Sequence, residues 1–225
     1  MTPEILFDQI VAHYERSKDV IEQYQHTQIY RDRQHTISSI LEDLFAHYLQ
    51  KHLSQKFKKL DLVFMIDYGV KVGKERMIPD IAIIIDGKYP VLASYLDIKT
   101  DLGYKRDYFT QFESIQKKIH QLREFCFKGL VGNTYKNITI SSNLKWRTIV
   151  ISDRNISSPL LLSNKSNAEK LNDVFNLYFL SSNSHPNRKL RNLIKINESV
   201  FTTLLHDIEE DIRLALIVPT LESLL

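Results

Sequence analysis

The chain has 225 residues, of which 43% are hydrophobic and 25% charged, fractions typical of a soluble globular protein with a sizeable core. Its single cysteine, Cys126, excludes an intramolecular disulfide and a cysteine-based zinc cluster, and we expect the thiol to be buried rather than nucleophilic. The start lacks a signal peptide pattern, and no apolar run approaches the ~20 residues that span a bilayer. A cytoplasmic protein without membrane contact is therefore expected.

The formal net charge of +3 is unevenly distributed. Residues 1–124 are balanced, with 18 Lys+Arg and 18 Asp+Glu, whereas residues 125–197 contain 11 Lys+Arg and only 3 Asp+Glu. Residues 198–225 reverse the sign, with 1 and 6 respectively. The basic segment favours a polyanionic partner, although a solvated surface would explain the charge alone equally well.

Two helices are predicted before the first strand. Thr2 can cap a helix that begins at Pro3, the position where proline is best tolerated. A second helix is predicted from Thr36 to Leu53, because its apolar residues recur at helical spacing. These residues are Ile37, Ile40, Leu41, Leu44, Phe45, Tyr48 and Leu49.

Three strands are predicted next, at Leu62–Val72, Ile78–Ile85 and Pro90–Lys99. The second is almost wholly apolar, which is typical of a strand that is buried on both faces. A two-residue turn at Asp86-Gly87 or Gly87-Lys88 would join the last two strands as a hairpin.

The remaining pattern alternates helices and strands. It predicts a helix at 108–125, a polar stretch at 129–143 of which 132–143 could be a recognition loop, and a strand at 146–152. A short helix at 167–172, a strand or continued helix at 174–180, and a helix at 198–216 follow. We predict an α/β fold: a central mixed sheet of about five strands flanked by helices, with additional terminal helices. It is one domain, with an N-terminal extension (1–35), a core (36–180) and a basic segment with a final helix (181–225).

Two carboxylates and one lysine end the predicted hairpin strands. Side chains alternate along a strand, so Asp97 and Lys99 share a face, and either two-residue turn places Asp80 on that face too. Mg²⁺ binds carboxylate oxygens, and a neighbouring lysine can orient or deprotonate an attacking water and stabilise the transition state. The sequence therefore predicts a metal-dependent phosphodiesterase. A turn residue at Asp80 and a surface salt bridge at Asp97 and Lys99 are the structural alternative.

The second predicted helix offers a third acidic side chain. On a helical wheel Glu42 lies at the shoulder of the apolar stripe, beside Phe45 and Leu49, whereas Asp43 points well away. A carboxylate at that edge can reach a site over the sheet, and can support a second metal. An ordinary surface glutamate is the alternative.

The motif Pro79-Asp80, followed after 16 residues by Asp97-Ile98-Lys99, resembles the PD-(D/E)xK nuclease superfamily, with its restriction-endonuclease-like fold. The segment Ile40–Phe45 is similar to the first core helix of that family. The resemblance implies that Asp80, Asp97 and the Ile98 carbonyl bind Mg²⁺, for which Mn²⁺ can substitute. It also implies that Lys99 acts on the attacking water and that Glu42 supports the metal.

The resemblance is closest to a type II restriction endonuclease, which implies double-stranded DNA as substrate, a homodimer, and a cognate DNA methyltransferase that protects the host. Candidate DNA contacts follow from their position and polarity. They are Lys105, Arg106, Gln111, Lys117, Lys118, Arg188, Lys189 and Arg191. A repair or junction-resolving nuclease, and a catalytically inactive DNA-binding or assembly subunit of the same fold, remain as alternatives.

Overall fold

A computed structural model describes residues 2–25, 38–72, 75–102, 109–123, 125–131, 133–153, 156–181 and 196–217, with the backbone alone at 17–25, 72, 75 and 109–111. The helices are α1 (Pro3–Gln25), α2 (Ser38–Lys56), α3 (Phe109–Leu122), α4 (Ser158–Glu169) and α5 (Glu198–Ala215). The strands are β1 (Asp61–Ile66), β2 (Val70–Val72), β3 (Glu75–Met77), β4 (Ile81–Asp86), β5 (Val91–Lys99), β6 (Cys126–Val131), β7 (Thr134–Ile140), β8 (Trp146–Val150) and β9 (Phe175–Phe179).

The predicted α/β class is confirmed: helices flank both faces of a mixed sheet. Strands β1, β4, β5, β8 and β9 lie side by side, and β7 and β6 extend the sheet from the first residues of β5. Pairing is antiparallel for β1–β4, β4–β5 and β6–β7, and parallel where β5 meets β7 and β8, and where β8 meets β9. Among the described residues, seven strands therefore form the sheet, against about five predicted.

Two hydrophobic cores lie on opposite faces of the sheet. The first core lies between the sheet and helices α1, α2 and α5, and includes Phe45 and Ile83. The second core lies between the sheet and helices α3 and α4, and includes Tyr95 and Phe112. Because both faces are covered, every residue of β4 from Ile81 to Ile85 is buried, which explains its uninterrupted apolar sequence.

The predicted strand Leu62–Val72 is interrupted. Asp67 has a φ of 53°, a left-handed conformation that aspartate tolerates better than most residues, and its N–H donates to the Asp80 carbonyl at 3.1 Å. The chain turns there, so β1 ends at Ile66 and the short β2 pairs with β3 in a separate two-stranded sheet.

The polar stretch 129–143 is not a loop, because most of it lies in the β6–β7 hairpin. Ile138 and Ile140 face the second core whereas Tyr135 and Asn137 are exposed, a strand alternation that the Gly and Asn residues obscure. The hairpin pairs with Val91 and Leu92, at the end of β5 opposite to Asp97.

The β4–β5 connection is longer than the predicted two-residue turn, since four residues, Gly87–Pro90, separate the strands. The register next to this connection pairs Ile85 with Val91 and Ile84 with Leu92. Continued back past the start of β4, this register would place Asp80 on the face opposite to Asp97. A β-bulge then shifts the register by one residue, so that Ile83 pairs with Ser94 and Ile81 with Leu96. This shift restores the side-chain parity that brings Asp80 and Asp97 to one face.

Candidate active site

Asp80, Asp97 and Lys99, together called the acid–lysine group, meet at one end of the sheet, so their predicted proximity is confirmed. The Lys99 Nζ lies 2.6 Å from Asp97 Oδ1 and 3.4 Å from Asp80 Oδ2. The same Asp80 oxygen accepts a hydrogen bond from the Ile98 N–H at 2.5 Å. Asp80 directly precedes β4, whereas Asp97 and Lys99 lie at the end of β5. Two neighbouring strands thus supply all three charged groups.

Two further polar groups lie beside the acid–lysine group at this end of β5. The Ile98 carbonyl lies 3.4 Å from the Lys99 Nζ, so it faces the same space as the carboxylates. Thr148, which pairs with Asp97 across β5 and β8, donates its hydroxyl to Asp97 Oδ2 at 3.3 Å. The Asp97 carboxylate is therefore held from two sides, by an ammonium and by a hydroxyl.

The electrostatics of the acid–lysine group follow from crowding and burial. Burial, together with the neighbouring Asp97 charge, raises the pKa of Asp80 above its ordinary value, although Lys99 and the Ile98 N–H oppose the shift. Burial lowers the pKa of Lys99, but the charges and hydrogen bonds of Asp97 and Asp80 outweigh it and hold that pKa above its usual value. Lys99 is accordingly a charged hydrogen-bond donor at neutral pH in the metal-free protein.

Glu42 lies on α2 and is buried, with 8% of its surface exposed, whereas Asp43 is exposed, as the helical wheel predicts. Burial and then the charges of Asp80 and Asp67 raise the pKa of Glu42 to about 7, with Lys99 opposing them. Glu42 therefore lies within the electrostatic field of the acid–lysine group. Its role as a ligand stays a prediction.

The donors suit a hard divalent cation. Within the described residues, no three His, Cys, Asp or Glu side chains are already gathered as a metal-binding group. The Asp80 and Asp97 carboxylates and the Ile98 carbonyl are instead three oxygen donors that face one space, and Mg²⁺ commonly completes such a set with water and phosphate oxygens. Burial and the Asp97 charge raise the pKa of Asp80, and a cation bound beside the two carboxylates would oppose that shift.

The predicted DNA contacts are only partly within the described structure. Lys117 is exposed on α3, and Lys118, also on α3, is half-buried. Gln111 belongs to α3, but its side chain lies outside the description. Lys105, Arg106, Arg188, Lys189 and Arg191 lie outside the described residues. The DNA contacts therefore stay predictions.

Two side chains near the site have no recognisable sequence signal. Thr148 stands in an apolar strand, and only the β5–β8 pairing register shows that it reaches Asp97. Asp67 follows β1, and its proximity to Asp80 depends on its left-handed backbone.

The prediction that Cys126 is buried is wrong. Cys126 is exposed, because it opens β6 on the solvent side of the hairpin and not at the end of an apolar helix.

A polar cavity of about 410 Å³ lies beside the edge strand β9, lined by α4 and the start of α5. The members of the acid–lysine group are not among the residues that line it. The cavity is therefore separate from the candidate active site.

Across the described ranges, no helix combines the length and apolar character that a bilayer crossing requires. Comparison of the chain with protein-family models and with curated proteins finds no match.

Proposed function

We propose that this protein is a metal-dependent endonuclease that hydrolyses phosphodiester bonds in double-stranded DNA, most similar in role to a type II restriction enzyme. The observation that carries the proposal is the acid–lysine group: two carboxylates from neighbouring strands, 2.6 Å and 3.4 Å from one ammonium. A surface salt bridge would explain one Lys–Asp contact. It does not explain a second carboxylate, that of Asp80, which is 17% exposed and accepts a hydrogen bond from the Ile98 N–H.

Each residue of the site has a separate proposed role in hydrolysis. Asp80, Asp97 and the Ile98 carbonyl would hold Mg²⁺ or Mn²⁺, with Glu42 in support. When bound, the cation supplies Lewis acidity toward the phosphate and toward water. Lys99, which is charged at neutral pH, would donate a hydrogen bond to the attacking water or to the phosphate oxygen that gains negative charge. Thr148 keeps Asp97 oriented through its hydroxyl.

The substrate is proposed from charge and from the resemblance together. Residues 125–197 contain 11 basic and 3 acidic residues, which favours a polyanion. Cutting both strands at a palindrome favours two symmetric active sites, so a homodimer is the expected working form. A restriction enzyme also needs a DNA methyltransferase that modifies the same site.

Plasmid cleavage tests the proposal. Supercoiled plasmid is incubated with the protein and Mg²⁺ or Mn²⁺, then with Lys99→Ala. Discrete fragments from the wild type and none from Lys99→Ala support a restriction enzyme, whereas preference for branched DNA would assign a repair or junction-resolving nuclease. Absence of cleavage under every divalent metal and DNA form tested would leave a catalytically inactive subunit.

Lys136→Ala is the matched control. Lys136 also pairs with an aspartate on another strand, Asp86, at 2.7 Å, but Asp86 lies at the opposite end of β4 from Asp80, about 20 Å away by strand rise. We expect Lys136→Ala to cleave at the wild-type rate when DNA is saturating, a condition that leaves any contribution of Lys136 to DNA binding out of the comparison. An equal loss in both variants would mean that lysine removal damages the fold and not the chemistry.

A further inference from the structure

A buried polar network lies in the first core, on the face of the sheet opposite to the acid–lysine group. Asp211 of α5 accepts two hydrogen bonds from the guanidinium of Arg147 on β8, both at 2.6 Å. The Ser94 hydroxyl on β5 donates to the same carboxylate at 2.7 Å. These three residues are almost fully buried, with at most 2% of their surface exposed. Burying a charged pair such as Arg147 and Asp211 costs desolvation free energy, which suggests that the pair has a specific structural role.

Ser94 lies where β5 changes its alternation. Leu92 and Tyr95 face the second core, and Ala93 faces the first core. Ser94 also faces the first core, since it reaches Asp211 of α5, so two consecutive side chains point to the same face. This is the bulge at which the β4–β5 register shifts by one residue. Asp97 and Lys99 share a face with Asp80 because the shift occurs before them.

Arg147 connects β8, the strand that pairs with β5 on the side away from β4, to the same carboxylate of Asp211. It pairs with Leu96 in the parallel β5–β8 ladder, and the next pair in that ladder is Asp97 with Thr148. One carboxylate, that of Asp211, therefore holds the bulge of β5 and the adjacent strand β8 at a fixed offset. Ser94 precedes Asp97 by three residues, about 10 Å along the strand.

We infer that Ser94, Asp211 and Arg147 form a register clamp, a set of positioning residues that locks the β5 bulge and thereby turns Asp97 and Lys99 toward Asp80. The clamp residues lie on the other face of the sheet and touch none of the catalytic atoms. The geometric part of this inference is independent of the reaction, whereas its effect on cleavage rests on the proposed function.

The test is Ser94→Ala, which removes the hydrogen bond that joins the bulge to α5. The reporter is the Ile98 amide, which donates to Asp80 Oδ2 in the shifted register of the structure. In metal-free protein we expect its NMR signal to move upfield and its hydrogen exchange to accelerate about 10-fold, the size expected for one buried hydrogen bond. Ser141→Ala is the control, because this fully buried serine on the neighbouring segment accepts from the Asn143 N–H and lies outside the clamp.

A folded Ser94→Ala protein with an unchanged Ile98 amide would overturn the clamp. If Ser94→Ala does not fold, Ser94→Cys, which keeps the side-chain shape but donates only weakly, is read by the same signal and the same criterion. Cleavage is measured in parallel: we expect kcat to fall about 10-fold while KM for DNA changes little. An altered Ile98 amide in a protein that never cleaves DNA would support the clamp and reject the proposed function, so the two failures are distinguishable.

Discussion

Asp80 combines two interactions that a single substitution can separate. Its Oδ2 accepts from the Ile98 N–H, and its negative charge lies beside Asp97 and Lys99. In Asp80→Asn the amide oxygen can still accept from Ile98, but the charge that would bind a cation is gone. We expect cleavage to fall at least about 100-fold, as when an electrostatic group is removed from an active site. Thermal unfolding should show a folded protein; retained cleavage would remove Asp80 from the site.

We predict that metal binding depends on pH through Glu42, whose carboxylate is proposed to support the cation. Burial and the charges of Asp80 and Asp67 raise the pKa of Glu42 to about 7 in the metal-free protein, so a proton and a cation would compete for this carboxylate. Below pH 7 the proton prevails, and above pH 7 the carboxylate is ionised and free to support the metal. Isothermal titration with Mg²⁺ at pH 6 and pH 8 should therefore show tighter binding at pH 8.

The matched pair Glu42→Gln and Asp43→Asn identifies which carboxylate is responsible. Both variants remove one negative charge from α2, but Asp43 is exposed. We expect Glu42→Gln to weaken Mg²⁺ binding at pH 8 and to reduce its pH dependence, while Asp43→Asn keeps both. The same result from both variants would mean that the overall charge of the helix, and not a carboxylate at the site, controls binding.

Among the elements, the β6–β7 hairpin depends on one glycine. A Cβ atom added at Gly129 would lie far inside van der Waals contact with the Tyr68 hydroxyl and 2.7 Å from the Ile138 Cδ1. We expect Gly129→Ala to lower the free energy of unfolding by about 1–3 kcal/mol, as overpacking does elsewhere. Urea denaturation measures the change. Adding Tyr68→Phe should recover part of it, because the hydroxyl that meets the new methyl is removed, and a Gly129→Ala protein as stable as wild type would contradict this packing.

Elements with strong periodicity are the ones that the sequence predicts well. Helix α2 and strands β4, β5 and β8 appear within a few residues of their predicted ends, because continuous burial imposes a visible apolar pattern. The β6–β7 hairpin is missed, since it is exposed on one face and its polar residues resemble a loop. The ambiguous segment 174–180 is a strand because it pairs with β8, a contact that no local pattern records.

The acid–lysine group is predictable because its residues are close in sequence and lie at strand ends. The geometry of the group is less predictable from the sequence. The predicted turn is wrong, and the shared face of the three residues depends on the β5 bulge, which bonds to helix α5 more than 100 residues away. The pair Arg147–Asp211 has no signal in the sequence, because each residue looks like an ordinary charge within its own element. Long-range polar contacts of this kind are set by tertiary packing.

At the scale of the whole molecule, the terminal helices are part of the architecture that supports the site. Leu6 and Ile10 of α1 and Phe201 and Leu204 of α5 are buried in the first core, together with Phe45 of α2. Helix α5 also carries Asp211, which bonds to both β5 and β8. The segment that resembles a nuclease core is thus packed and oriented by helices outside it.

The number of active sites that act on one duplex can be tested by mixing subunits. If the working form is a homodimer with one acid–lysine group per strand, wild-type protein should convert supercoiled plasmid to linear DNA without much nicked intermediate. Mixing with a ninefold excess of Lys99→Ala would place most active subunits in heterodimers. These can cut only one strand, so nicked circles should accumulate.

Agarose gels resolve the three plasmid forms. The control is a ninefold excess of Asp43→Asn, a variant for which no defect is expected. Linear product that is unaffected by the Lys99→Ala excess would show that subunits act singly or do not exchange; co-expressing differently tagged subunits separates these two cases.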